Sequence, residues 1–122
     1  MSKIDRRTAI DTELIDIGFN VKLLGFTYIG DGLDAMFDTG LLSSRSVRWI
    51  YAYIWERRRK SFASIERAIR TAIEDCWLHG DPEKLADLFS RCTDTGRPSN
   101  LEFFNLMCRK ICRRIDTFRN VK

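Results

Sequence analysis

A chain of 122 residues with 44% apolar and 31% charged side chains has the length of one ordinary domain, 1–122. On folding it buries about two thirds of its unfolded surface, enough for a core without staples. Its longest apolar run, Trp49 to Trp55, is seven residues, far short of the roughly 18 that a spanning helix needs. The charged start Met1-Ser-Lys-Ile-Asp-Arg-Arg is unlike a secretion signal and predicts a cytoplasmic protein whose four cysteines stay reduced. The net charge of +4 is unevenly spread, with blocks 1–44, 45–70, 71–106 and 107–122 carrying −3, +6, −4 and +5. Two basic blocks folded onto one face would attract a polyanion. The alternative is a set of solvated helix faces.

Apolar residues recur at helical spacing almost throughout, so the chain is expected to be an all-α compact bundle of five to six helices. A first helix is predicted from Thr8 to Ile17, stopped by Gly18, with residues 1–8 as a disordered lead-in. A second, Leu23 to Phe37, contains Gly30 and Gly32, each of which costs a helix interior about 1 kcal/mol relative to Ala, and a break is expected there. From Ser46 the run through Arg58 exceeds the length of a buried strand, and its cationic end suits a helix C-terminus. Ser61 can cap the next helix, which carries Ile65, Ile69, Ala72, Ile73, Cys76 and Trp77 and ends at Gly80. Asp81-Pro82 opens a short helix bearing Leu85, Leu88 and Phe89. Ser99-Asn-Leu-Glu102 is a capping box for a last helix with Phe104, Cys108, Ile111, Ile115 and Phe118 inward.

Residues 46–80 therefore read as helix, short turn, helix, which is helix-turn-helix syntax. Taking about 100° per residue, Ile69, Ala72 and Cys76 fall on the side of Ile65, while Glu66, Arg67 and Arg70 lie on the opposite face. A major groove accepts a helix, and guanine O6 and N7 match an arginine fork, so Arg67 and Arg70 suit base reading; Glu66 can accept from a cytosine amine. The competing reading is a Glu66–Arg70 surface ion pair. The run Arg57-Arg58-Arg59-Lys60 reads either as a phosphate clamp or as a solvated helix end.

Other constellations are weaker. Gly30-Asp-Gly-Leu-Asp-Ala35 matches a dinucleotide fingerprint, but the chain downstream lacks the parallel strands that motif needs. Cys76, His79, Cys108 and Cys112 could supply four zinc ligands, but the cysteines occupy positions already claimed by the apolar periodicity, so they are expected to pack and not to bind zinc. Trp49, Tyr51, Tyr53 and Trp55 are expected in the core, not as a stacking platform for bases. With one histidine and no nucleophile elbow or Walker loop, no enzyme, metal or cofactor is expected.

The segment Ser64-Ile-Glu-Arg-Ala-Ile-Arg-Thr-Ala-Ile-Glu-Asp-Cys-Trp77 resembles the recognition helix of the C-terminal effector domain of the stage-zero sporulation protein A family. The resemblance extends through Ile17-Gly18, Gly25-Phe-Thr-Tyr-Ile29 and Tyr51 upstream, and through Leu88-Phe89 and Pro98-Ser-Asn-Leu-Glu-Phe103 downstream. It implies an all-helical domain that binds double-stranded DNA boxes, often as head-to-tail pairs, and regulates transcription. Glu66, Arg67 and Arg70, with Ser64 on the same helix, match base-reading positions, and Ser61, Ser99 and Asn100 match positions near the phosphate backbone. The stretch Gly80 to Thr93 is similar to the part that engages the polymerase sigma subunit. Trp55 and Arg58 depart from the pattern, which has a small and a hydrophobic residue there, and a phosphorylatable receiver domain does not accompany the match. These departures motivate an alternative, a protein-interaction module that restrains another regulator or polymerase.

Overall fold

The structure, a computed structural model, describes residues 3–40, 43–89 and 97–120, with the side chains of 5–114 within those segments. Among the described residues there are six helices and no strand: α1 (Lys3–Asp16), α2 (Leu24–Thr39), α3 (Arg48–Arg58), α4 (Phe62–His79), α5 (Pro82–Phe89) and α6 (Asn100–Asn120). The all-α bundle is thus as the apolar periodicity requires. The helix ends are set by the predicted signals. Ser61 accepts from the Ser64 amide, Asp81 accepts from the amides of Glu83 and Lys84, and Ser99 and Glu102 bond each other's backbone amides.

Helix α2 is the hub, packing against α1, α3, α4 and α6. Its buried Ile29, Leu33 and Met36 join Ile10, Leu14, Ile50, Ile54, Ile65 and Ile69 in one core, which continues through Phe89 and Phe103. The Phe89 and Phe103 rings stack at 5.6 Å and 10°, fixing α5 on α6. Ile115 and Phe118, expected in this core, lie outside the described side chains.

Two expectations fail for identifiable reasons. Helix α1 begins at Lys3, not Thr8, because its first turn has partners on α2: Arg6 bonds Asp34 and Asp38, and Arg7 bonds Asp31 and the Thr27 carbonyl. Helix α2 runs unbroken through Gly30 and Gly32, since each glycine makes room for a neighbour. A Cβ at Gly30 would lie 2.5 Å from the Arg7 guanidinium, and one at Gly32 would lie 2.5 Å from the Phe104 ring and 2.8 Å from Ile50. The gain in packing outweighs the intrinsic helix penalty. The glycine-rich fingerprint therefore sits inside a helix, without the turn that a pyrophosphate site needs.

Candidate nucleic-acid interface

The α3–turn–α4 unit is built tightly. Arg59 ends α3 in the left-handed region (φ 56°, ψ 41°), its amide bonded to the Trp55 carbonyl at 2.7 Å, and its guanidinium lies 4.7 Å from the centre of the Trp55 ring. Across the turn, the Tyr51 and Phe62 rings meet edge to face at 6.3 Å. Buried Ile65, Ile69, Ala72, Ile73 and Cys76 anchor α4 to the bundle. The opposite side of α4 is left to solvent.

Ser64, Glu66, Arg67 and Arg70 are all exposed on that side. Neither guanidinium makes a hydrogen bond or ion pair among the described residues, and the Glu66–Arg70 pair does not form. This sets Arg67 and Arg70 apart from the arginines facing the bundle. Arg7 and Arg58 clasp the fully buried Asp31, Arg58 through two bonds of 2.7 and 3.0 Å. Arg6 and Arg57 share Asp34, and Lys110 and Arg114 hold the buried Glu13 at 3.1 and 3.0 Å. Both basic blocks of the sequence are thus partly consumed inside the molecule. The single polarised face that their sum suggested does not account for them.

Two expected phosphate contacts are placed differently. Arg58 directs Nε and Nη2 to Asp31, an attachment that raises the guanidinium pKa further. Asn100 is buried, its Nδ2 donating to Tyr51 Oη at 2.9 Å and to the Glu66 carbonyl at 3.4 Å. Arg58 therefore orients α3 against α2, and Asn100 fastens the start of α6 to α4. Burial also pushes the Tyr51 phenol pKa upward. Of the other candidates, Arg59, Lys60, Ser61 and Ser99 are exposed, and Arg57 is exposed while sharing contacts with Tyr53 and Asp34.

The solvent face of α4 has an edge on each side. At one, Arg97 approaches Glu74 at 4.0 Å and Asn100 reaches the Glu66 carbonyl. At the other lies a groove of about 460 Å³ lined by Lys22, Leu23, Leu24 and Gly25 and by Ser64, Arg67, Ala68 and Thr71. The signs of this second edge along the chain are the small residues Gly25, Ala68 and Ala72, which let α2 meet α4 closely.

The cysteine set is not assembled into a site: among the described residues no three His, Cys, Asp or Glu side chains gather where a metal ion would fit. Cys76 contacts the Ile17 carbonyl at 3.6 Å, His79 pairs with Asp75, and burial pushes the thiols of Cys76 and Cys108 up to about 12. Trp49, Tyr51 and Tyr53 are buried or half-buried, which leaves Trp55 as the exposed aromatic of α3.

Residues 10–111 match the family model for the C terminal of sporulation initiation factor Spo0A. The chain belongs to that family. The matched span takes in α2 to α5 whole, with about half of α1 and of α6, and so includes the helix-turn-helix and both edges of α4. Membership of the Spo0A C-terminal family makes this a DNA-binding effector domain concerned with transcription regulation, and the family is not one of enzymes. No described helix is long and apolar enough to cross a membrane.

Proposed function

We propose that the chain is a sequence-specific, double-stranded DNA-binding regulator of transcription, acting in the cytoplasm through the helix-turn-helix domain of residues 1–122. Arg67 and Arg70 read base edges in the major groove, Glu66 and Ser64 refine the choice of base, and Arg57, Arg59, Lys60, Ser61 and Ser99 hold phosphates. The observation that carries this reading is the pair of exposed guanidinium groups on α4 without partners among the described residues, in a molecule where Arg6, Arg7 and Arg58 are tied to carboxylates. A desolvated reading face gains from donors that need not first leave another acceptor.

The family match supports two further roles. Helix α5 and the segment after it, residues 80–93, engage the polymerase sigma subunit, and two copies bind head to tail on adjacent boxes; residues 90–93 lie outside the described residues. Selection from randomised duplexes tests the central claim. A defined box should be enriched, and Arg67→Ala or Arg70→Ala should weaken binding to it by about 1–3 kcal/mol while relaxing one position. Equal losses on box and random duplex would refute the assignment. The competing reading, a module that restrains another protein, draws on Trp55 and Phe62, 39% and 38% exposed beside the turn. It prevails if no box is enriched and a protein partner binds there instead.

A further inference from the structure

We infer that Lys22, on the loop between α1 and α2, grips a backbone phosphate of the duplex at the edge of α4 opposite residues 97–100. The inference rests on the DNA-reading role of α4 and adds a second point of support to it. Turning round α4 at about 100° per residue, its solvent face runs from Glu66 and Arg70 through Glu74 and Arg67 to Thr71 and Ser64. Asn100 borders the Glu66 end, with Arg97 reaching Glu74 further along the helix. The end of the α1–α2 loop, Lys22 and Leu23, with the first turn of α2 borders the other, across the groove lined by Ser64, Arg67 and Thr71.

A helix is about 10–12 Å across and the major groove about 12 Å wide, so a helix lying in it has a sugar-phosphate strand close on either side. Whatever flanks the helix at each edge meets one of those strands. Three features suit the Lys22 edge to this. The loop is held in shape, since Asn20 Oδ1 accepts from the Lys22 amide at 3.0 Å and the Asn20 carbonyl accepts from the Leu23 amide at 3.2 Å. It is also pinned to α4, because Gly25 packs directly on the Ala68 backbone. Finally, Lys22 is exposed with no ion pair among the described residues, and no acidic side chain lines the groove. An ammonium is a compact point charge that suits one phosphate without base preference. Beside it Leu24, 66% exposed, offers an apolar surface at the height of the sugars.

The test compares Lys22→Gln with the whole wild-type chain on the enriched box and on random duplex, across a salt series. One lost phosphate contact lowers the salt slope by about 0.9, a loss of roughly 15-fold at 50 mM salt shrinking to about 4-fold at 200 mM, equal on both duplexes. Single uncharged methylphosphonates along the box then locate the partner: one position should weaken the wild type and leave Lys22→Gln unaffected. An unchanged slope in Lys22→Gln, with Arg67→Ala and Arg70→Ala still losing the box, overturns the Lys22 contact and leaves the base-reading role standing. Wild-type protein with no affinity for any duplex overturns both. Circular dichroism melts of the variant, expected to match wild type at this exposed site, exclude misfolding.

Discussion

Gly25→Ala places a methyl where α2 meets the recognition helix. The added Cβ would lie 2.6 Å from Ala72 Cβ and 2.8 Å from the Ala68 carbonyl carbon, against the 3.4 Å at which ordinary contact begins. Neither neighbour is the end of a flexible chain, and the Ala68 carbonyl oxygen lies closer still, so α2 and α4 must part by at least about 0.8 Å along a tightly packed seam. Overpacking of this kind costs about 1–3 kcal/mol, whereas alanine in a helix interior returns about 0.8–1 kcal/mol over glycine. With rigid neighbours, one of them backbone, the steric cost falls in the upper part of its range, about 2–3 kcal/mol, leaving a net loss of about 1–2 kcal/mol and a Tm lowered by roughly 3–8 °C. Thermal melts followed by circular dichroism measure it. A shift of α4 also moves Arg67 against the α1–α2 loop, so affinity for the enriched box should fall at temperatures where the variant is folded. A Tm equal to or above wild type would show that helix propensity outweighs contact here, and that the close approach of α2 and α4 is not what seats the recognition helix.

Arg58→Ala leaves the buried Asp31 with Arg7 as its remaining guanidinium partner, and losing two charge-assisted bonds should destabilise the fold by about 1.5–3 kcal/mol. The loss should appear in urea midpoints, not in the salt slope of DNA binding; a slope change without a stability change would return Arg58 to the phosphate-binding set. The thiols give a pH signature. With folded pKa values raised from 9.0 to about 12 at Cys76 and Cys108, the unfolded chain releases its thiol protons first. Their contribution is intact below pH 9 and falls by up to about 1.4 kcal/mol per pH unit per thiol above it. Urea melts between pH 8 and 10.5 should fall less steeply in a Cys76→Ala/Cys108→Ala variant, and parallel slopes would refute the burial argument.

What was legible in the sequence was local. Ser61, Gly80, Asp81-Pro82 and the Ser99–Glu102 box mark helix ends through bonds spanning two to four residues, and the structure keeps each. The outward direction of Arg67 and Arg70 followed from helical periodicity alone. What was not legible depended on partners far along the chain. Gly30 and Gly32 read as breakers because Arg7 and Phe104, which occupy the space they vacate, stand more than twenty and seventy positions away. Arg58 read as free charge because Asp31 is 27 positions distant. Asn100 matches a position near the phosphate backbone until Tyr51 and the Glu66 carbonyl are brought to it by the fold. The second edge of α4 exists only once α2 and α4 are packed.

The carboxylates of α2 hold α1 on one side and α3 on the other, Asp31 through Arg7 and Arg58, Asp34 through Arg6 and Arg57. Dissolved ions screen exposed charges within about 10 Å at 0.1 M but reach a sealed acid such as Asp31 far less. Raising ionic strength should therefore strip this molecule from a polyanion while its internal guanidinium clasps persist. One kind of side chain serves two ends, reversible attachment outside and permanent framing within, separated only by how much water each is allowed.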